Sequence, residues 1–428
     1  MELSRQKIAD GIYASCLPGE KFKVNSITLG IKMPLDIESV TAANLLTRVL
    51  KRGCEKYPDI GSIERKLDDL YAAGLALGVN RSGESHYLCV YTDFLSSLYT
   101  EDCDIINEVV DMTGEILLHP LAKNGAFNEE YVRGEKKNLS DDIDSLINNK
   151  AKYARNRCIE LMCENEAYSI SMLGDKSVLE KITPEKLLSF HNSILKTGQI
   201  EILYTGDTSF FEKVCDALTR VFTPLCRDYR YIDSACEVKA TVTKLREISE
   251  QMEVNQGKLS IGLRTGITNS DPDIGALIVA NEIFGGSPNS KLFMNVREKM
   301  SLCYYCSSSL DAVKGLMFIN AGIESGNYTV ARDAIFAQLK AVQNGDFTDD
   351  EFDCAINSLT NSYKSVSDSI SSLESWYMPR IFRGESDTPE TRLSQISSVT
   401  KADVIRAAKR ISPDLIFFLC GNDKEAQK

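Results

Sequence analysis

The chain has 428 residues, of which 43% are hydrophobic and 26% are charged, and its formal net charge is −12. A chain of this length exceeds one ordinary hydrophobic core, so we expect two domains or more. The acidic balance and the short clusters of lysine and arginine argue against nucleic acid as a partner, and no apolar run approaches the ~18 residues of a membrane span.

The first residues, MELSRQKIADGIYASCL, lack the apolar stretch of a secretory signal, so we expect a cytoplasmic protein. The thirteen cysteines are scattered and odd in number, which favours reduced core thiols over a disulfide framework. Cys303 and Cys306 alone have the spacing of a metal or redox pair. They fall in a predicted strand, where residues three apart point to opposite faces, so we interpret the pair as structural.

The most informative pattern along the chain is a long internal repeat. Near the start of each copy an apolar segment predicts a strand, ITLGI at 27–31 and LSIGL at 259–263. A helix follows each strand and ends at glycine, Gly53 in the first copy and Gly286 in the second. Each copy then continues with a second helix and two strand-like runs.

Helix starts recur at matching places later in the two copies. The segment FNEEYV matches FTDDEF, and the latter forms a capping box in which Thr348 is the cap and Glu351 follows three residues on. The clearest match pairs TPEKLLSFHNSI from Thr183 with TKADVIRAAKRI from Thr400. Each of these helices leads into a buried strand, and the second strand segment runs to Asp423.

The two copies lie more than 200 residues apart, which indicates a duplicated domain rather than a solenoid. Each copy mixes hairpin-like strands with long helices, which predicts an α+β fold with a mostly antiparallel sheet and helices packed on one face. We place the first domain at 1–225, a linker at 226–245, where charged residues show no clear periodicity, and the second domain at 246–428.

The sequence offers no recognisable metal-binding motif. Zinc peptidases place two histidines one helical turn apart, as in HxxEH, so that both imidazoles meet one ion. The three histidines of this chain, His86, His119 and His191, are far apart in sequence, and neither a GxSxG motif nor a Walker loop occurs. We therefore expect this chain to bind no metal.

The segment SKLFMNVREKMSLCYY, residues 290–305, places Arg297 on an amphipathic helix and Tyr304 on the following strand. This spacing brings both residues to one edge of a sheet. Each also has an ordinary interpretation, Arg297 as a surface residue among Glu and Lys, and Tyr304 as a strand residue in the core. A guanidinium and a phenol can both donate to a peptide carbonyl and stabilise a developing oxyanion.

This segment, in the second copy of the repeat, resembles the C-terminal half of pitrilysin/insulinase-type zinc peptidases, and the resemblance spans essentially the whole chain. It implies two similar domains that face each other as a clamshell around a closed chamber. It also implies that Arg297 and Tyr304 reach into the active site and hold the substrate backbone.

The same resemblance locates the positions of the absent zinc motif. The two histidine positions fall at Asn44 and Arg48, the general base falls at Thr47, and the third ligand falls at Asp141 or Asp142. Asparagine is a poor zinc ligand, arginine is cationic, and threonine cannot deprotonate water near neutral pH. We expect the chain to be inactive alone.

Some members of this family divide the active site between two subunits. The resemblance implies that this chain supplies Arg and Tyr, whereas an HxxEH-containing homologous partner supplies the zinc, and a peptide or an unfolded protein segment is the substrate. Two alternatives stay open, a catalytically dead peptide- or protein-binding protein and a structural subunit of a larger assembly.

Residues 124–127 and 153–175 resemble, more narrowly, the zinc-motif-lacking member of a bacterial pair of insulinase-family proteins associated with 5-aminopentanol modification of elongation factor P.

Overall fold

The computed structural model describes residues 3–100 and 104–421. Its strands are β1 (Ser4–Ala9), β2 (Ile12–Pro18), β3 (Val24–Pro34), β4 (Gly74–Ser82), β5 (Ser85–Leu95), β6 (Ala122–Lys123), β7 (Ala126–Phe127), β8 (Gln199–Gly206), β9 (Arg246–Gln251), β10 (Gly257–Arg264), β11 (Cys303–Asp311), β12 (Leu316–Ile323) and β13 (Ser412–Cys420). Its α-helices are α1 (Ile37–Leu50), α2 (Ile60–Asp69), α3 (Ile105–Leu118), α4 (Glu129–Ser145), α5 (Lys150–Met162), α6 (Lys176–Lys181), α7 (Pro184–Thr197), α8 (Phe211–Phe222), α9 (Ile274–Asn281), α10 (Tyr328–Asn344), α11 (Asp349–Ser365), α12 (Ile370–Arg383), α13 (Pro389–Ser397) and α14 (Lys401–Ala408). Two further segments, Glu282–Gly286 and Leu292–Lys299, are π-helical.

These elements form two compact units, each assembled from three stretches of the chain. Unit 1 contains the chain up to Asp144, Ile170–Ala235 and Ser367–Ser386, and unit 2 contains Ser145–Ser169, Cys236–Val366 and the chain from Asp387. Each unit therefore includes a helix from the opposite half of the sequence. The linear division at 226–245 describes the copies of the repeat and stays a prediction.

The two sheets have the same topology, except that the sheet of unit 1 has one additional outer strand, β1. Unit 1 holds a six-stranded sheet in the order β1-β2-β8-β3-β5-β4. Unit 2 holds a five-stranded sheet in the order β9-β13-β10-β12-β11, which corresponds strand by strand to β2-β8-β3-β5-β4. In both sheets one pair is parallel, β2 with β8 and β9 with β13, and the other pairs are antiparallel. The prediction of two homologous α+β domains is therefore confirmed.

Most helices cover one face of each sheet, as predicted. In β3 the residues Ile27, Leu29 and Ile31 are almost fully buried, and they join a core to which α1, α3, α7 and α8 contribute. In β10 the equivalent residues Leu259 and Ile261 join a core with α9, α10 and α14. Burying such apolar faces is the main stabilising contribution to each unit.

A single helix covers the opposite face of each central strand, and the sequence patterns did not predict it. In unit 1, α12 crosses β3 at Gly30, where an added Cβ would lie 2.7 Å from both Met378 and Phe382. In unit 2, α5 crosses β10 at Gly262, where a Cβ would lie 2.3 Å from the sulfur of Met162. The glycine shared by ITLGI and LSIGL is therefore the point at which side chains of a helix pack directly onto the strand.

The local helix signals were accurate. Thr183 caps α7 and Thr400 caps α14, each through its side-chain oxygen, and Thr348 and Glu351 form the predicted capping box at α11. The predicted end of the last strand segment at Asp423 lies outside the described residues. Within residues 3–100 and 104–421, no helix is both long enough and apolar enough to cross a membrane.

Candidate functional site

Helix α1 carries the positions of the absent zinc motif, and its local structure is well determined by the sequence. Asp36 caps the helix by accepting a hydrogen bond from the backbone N–H of Ser39. Asn44 and Thr47 are both buried. The Asn44 amide donates to the carbonyls of Val40 and Met172, each at 2.8 Å, and so ties the chain near Met172 to the helix.

Thr47 and Arg48 are the other two residues of α1 at positions predicted for the zinc motif. The Thr47 hydroxyl donates to the Asn44 carbonyl at 3.0 Å. The Arg48 guanidinium forms an ion pair of 2.5 Å with Asp142 on α4, while Asp141 is exposed. The structure thus brings Arg48 next to Asp142, one of the two aspartates predicted for the third-ligand position.

These residues do not fit a zinc ion. The side chains of Asn44 and Thr47 are engaged with backbone carbonyls, and a guanidinium repels a cation and cannot act as a ligand. Among the described residues, no group of three or more His, Cys, Asp or Glu is placed to hold a metal. The sequence signal for this pair is the opposite charge of Arg48 and Asp142, and no local pattern connects them across 94 residues.

Two of the histidines are structural groups of unit 1. His86 is fully buried, and burial lowers its pKa to about 4, although nearby Asp36 acts in the opposite direction. His191 is also buried, and its Nε2 lies 2.7 Å from the Leu117 carbonyl oxygen. Burial lowers the pKa of His191 as well. Both histidines are therefore neutral near physiological pH.

In the second copy, Arg297 lies on the π-helical segment Leu292–Lys299, which packs against β11. The wider turn of a π-helix is uncommon and is often found at functional sites. The Arg297 side chain is 37% exposed and lies 3.4 Å from Glu298. Its guanidinium is 4.3 Å from the centroid of the Phe293 ring, a stacking contact that holds the charged group near the surface.

Tyr304 is the extra residue of a β-bulge in β11. Cys303 pairs with Ile323 and Tyr305 pairs with Gly322, so Tyr304 has no partner residue on β12. The bulge turns the Tyr304 side chain outward, and it is 76% exposed. Its interpretation as a core residue is therefore wrong. β11 is also the outer strand of its sheet, so Tyr304 stands at a sheet edge, as the spacing predicted.

The same bulge overturns the prediction for the two cysteines of β11. Cys303 pairs with Ile323 and Cys306 pairs with Ala321, two residues apart on β12, so both thiols lie on one face of the sheet. Both are buried. Interaction with the Cys306 side chain, together with the positive charge of Arg297, lowers the pKa of Cys303.

Known proteins match both copies of the repeat. Residues 181–359 match the family model described as Peptidase M16 inactive domain. A protein of Bacillus subtilis (strain 168) named Probable inactive metalloprotease YmfF is 31% identical over 414 residues, which cover 96% of each chain. Another protein of that strain, named Uncharacterized zinc protease YmxG, is 20% identical over 64% of this chain and 63% of its own.

Solved structures share the fold. The crystal structure of a conserved protein from Enterococcus faecalis V583 has a TM-score of 0.91 with 27% identity, over 99% of this chain and 100% of that one. The structure of a peptidase M16 inactive domain from Pseudomonas fluorescens has a TM-score of 0.79 with 17% identity, over 99% of both chains. The chain therefore belongs to the M16 peptidase family, as an inactive homologue whose first copy of the repeat lacks the zinc-binding motif.

Proposed function

We propose that this chain is the non-catalytic subunit of a heterodimeric pitrilysin/insulinase-type metallopeptidase. An HxxEH-containing homologous partner supplies the zinc site, and this chain supplies Arg297 and Tyr304 to bind the peptide substrate. The observation that carries the proposal is the outward projection of Tyr304 from a bulge at a sheet edge, on the strand against which the Arg297 segment packs.

The first copy of the repeat supports a non-catalytic role. Its helix α1 presents an amide and a hydroxyl that bind carbonyls, and an arginine that is paired with Asp142. None of these groups can activate water as a general base near neutral pH. Hydrolysis of a peptide therefore needs a base and an electrophile from another chain.

The second copy supports a role in holding substrate. A tyrosine that is 76% exposed contributes little burial to folding, so its packing alone does not account for it. Its phenol and the Arg297 guanidinium are hydrogen-bond donors. Aimed at a peptide carbonyl, such donors strengthen their bonds as negative charge develops on the oxygen, and removing one typically costs about 10²–10³ in rate.

The experiment is a peptide-cleavage assay on the purified chain, on an HxxEH-bearing homologue, and on the two together. We expect cleavage only by the mixture, with sensitivity to a metal chelator. In the mixture, Arg297→Ala and Tyr304→Phe should each lower kcat/KM by about 10²–10³ while the zinc content stays unchanged. Arg332→Ala, which removes an arginine beside Tyr328 on α10, is a matched control.

Two results would overturn the proposal. One is chelator-sensitive cleavage by the isolated chain, and the other is full activity of the mixture with Arg297→Ala and Tyr304→Phe combined. The second result would favour the alternative candidate, a catalytically dead peptide- or protein-binding subunit. The name of the 31%-identical relative, which describes it as probably inactive, supports that alternative.

We also propose the narrower link to 5-aminopentanol modification of elongation factor P. The two segments that suggest it have structural roles in this chain. Residues 124–127 include the β6–β7 turn, where Asn124 and Gly125 have positive φ, and residues 153–175 include most of α5. The test is the mass of elongation factor P from cells with and without this chain, and an unchanged modified mass would contradict the link.

A further inference from the structure

The two thiols of β11 form a cluster that the proposed function does not use. In a regular strand they would point to opposite faces, but the bulge at Tyr304 places Cys303 and Cys306 on one face of the sheet, opposite Ile323 and Ala321 of β12, and the two side chains interact. Cys303 is the first residue of the strand and is 9% exposed, whereas Cys306 is 3% exposed. The chain just before the strand is strained, because Ser301 has a φ of 51°.

We propose that Cys303 and Cys306 are an oxidisable pair, which closes to a disulfide within β11 when a hydroperoxide oxidises Cys303. The inference goes beyond the proposed function and does not depend on it, because it concerns the thiols of this chain alone.

The chemistry balances in two steps. The Cys303 thiolate attacks one oxygen of hydrogen peroxide, so an S–O bond forms, the O–O bond breaks, and the departing hydroxide takes up a proton and leaves as water. The Cys306 sulfur then attacks the sulfenic sulfur, so an S–S bond forms, the S–O bond breaks, and hydroxide leaves with the Cys306 proton as water. Two thiols lose two electrons, and one peroxide becomes two waters.

The surroundings assign the attacking sulfur to Cys303. Cys303 is the more exposed of the two thiols, at the start of the strand, and so it is the one that a peroxide reaches first. The positive charge of Arg297 favours the Cys303 thiolate, which is the reactive form, whereas the neighbouring Cys303 side chain and burial raise the pKa of Cys306. This division matches an attacking cysteine beside a resolving cysteine.

A second close pair in the same chain provides a contrast. Cys16 and Cys215 in unit 1 are near enough to interact electrostatically, and both are buried. Burial is the main reason that the pKa of Cys16 is raised to about 12 and that of Cys215 to about 11. Proximity and burial are thus shared by the two pairs, but a nearby cation acts on Cys303.

The experiment exposes the full folded chain to hydrogen peroxide, blocks the remaining thiols with N-ethylmaleimide, and maps the peptides by mass spectrometry. The exposed Cys226 and Cys354 are replaced by serine in the mapped variants to remove exchange with surface thiols. We expect a Cys303–Cys306 disulfide, reversed by dithiothreitol, that forms roughly tenfold or more faster than any Cys16–Cys215 disulfide. Cys306→Ser should leave Cys303 as a sulfenic acid, trapped by dimedone.

Arg297→Gln tests the electrostatic step and should slow the alkylation of Cys303 by iodoacetamide, relative to Arg297→Lys. The wild-type map is decisive even if a variant fails to fold, as judged by circular dichroism. The proposal is overturned if Cys303 and Cys306 both remain thiols at a peroxide concentration that fully oxidises Cys226 and Cys354 of the wild-type chain. It is equally overturned if Cys303 links to other cysteines as readily as to Cys306.

Discussion

Helix α12 in unit 1 and helix α5 in unit 2 cover equivalent faces of the two sheets, but different cations hold their carboxyl ends. In unit 1 the buried Lys32, just after ITLGI, donates to the carbonyl of Phe382 at 3.3 Å and to that of Ile232 at 2.8 Å. In unit 2 the buried Arg264, just after LSIGL, donates to the carbonyl of Met162 at 3.1 Å. Each cation thus binds the last turn of the helix on its sheet.

The acceptors around the two cations are chemically different. Arg264 forms ion pairs with Glu166 at 2.9 Å and with Asp414 at 2.7 Å, and Lys314 joins the same network at 2.7 Å from Glu166. In the segment that follows α8, the Lys32 ammonium donates hydrogen bonds to the Ile232 carbonyl and to the Ser234 hydroxyl. In unit 2 the hydrogen bonds of the cation therefore end on buried carboxylates, whereas in unit 1 these bonds of Lys32 end on neutral oxygens. The buried carboxylate near Lys32, Glu201, acts on it through space and is itself paired with Arg5.

The largest expected effect comes from breaking the buried network of unit 2. Arg264→Met leaves Glu166 and Asp414 buried with less compensating charge, and removing one partner of a buried ion pair typically costs about 3–5 kcal/mol. Lys32→Met removes bonds to neutral oxygens and also removes a buried charge, so we expect a smaller loss of about 1–3 kcal/mol.

Hydrogen exchange separates these two variants by location. Arg264→Met should raise amide exchange in α5 more than in α12, and Lys32→Met should have the opposite effect. Urea unfolding followed by circular dichroism gives the size of each loss. Equal exchange in both helices for either variant would show that the two cations do not act on separate helices.

The next test concerns the glycines on which the two helices rest. Gly30→Ala and Gly262→Ala place a methyl group against α12 and α5, where the nearest atoms lie 2.7 Å and 2.3 Å from the new Cβ. Overpacking of this kind costs about 1–3 kcal/mol. Gly78→Ala on β4 is a matched control, because its Cβ meets nothing within 4 Å. A loss for Gly78→Ala as large as for the other two would point to backbone effects rather than helix contact.

These contacts also mark the limit of prediction from the sequence. The capping box at Thr348 and Glu351 was predicted because a cap is a local interaction between residues three apart. The shared glycine of ITLGI and LSIGL was readable as a pattern, but its cause was not. The atoms that approach Gly30 belong to a helix more than 300 residues away in the chain, and periodicity carries no information on such pairing.

The candidate site shows the same limit at shorter range. The sequence predicted the helix that carries Arg297 and the strand that carries Tyr304, and the structure places the two residues on those elements. The bulge did not follow, because period-2 reasoning assumes one residue opposite one residue. Because of that single extra residue, Tyr304 is exposed rather than in the core, and Cys303 and Cys306 lie on one face of the sheet rather than on opposite faces.

Acid should affect the two units in different pH ranges. His86 of unit 1 is neutral when folded, because burial lowers its pKa from 6.5 to about 4. The unfolded state binds the proton more readily, so stability falls as the pH drops from 6.5 towards 4, by about 2 kcal/mol at pH 5. His86→Leu should remove the His86 contribution to this slope, measured from amide protection in β5, while the contribution of His191, whose pKa burial also lowers, remains.

Glu166 of unit 2 responds at lower pH. Burial would raise its pKa, but hydrogen bonds from Lys314 and Arg264 outweigh burial and hold the pKa below the ordinary value of 4.5. A carboxyl with a lowered pKa contributes stability that is present above pH 4.5 and is lost as the pH falls through the folded value. The protection factors of the α5 amides, which are corrected for the intrinsic pH dependence of exchange, should therefore stay constant between pH 6.5 and 5. A fall in α5 protection in that range would show that the ionic network titrates earlier than its geometry implies.

The smallest change in stability is expected for the ion pair of Arg48 and Asp142, at positions predicted for the absent zinc motif. Arg48 and Asp142 are only 2.5 Å apart, but their side chains are 26% and 52% exposed, so water screens the pair. A double-mutant cycle with Arg48→Ala and Asp142→Ala should give a coupling of about 0.2–1 kcal/mol. The equivalent cycle on Arg264 and Glu166, 5% and 1% exposed, should give several times more. Equal couplings would mean that burial does not set the strength of these pairs, and the contrast between the two units would then have to rest on geometry alone.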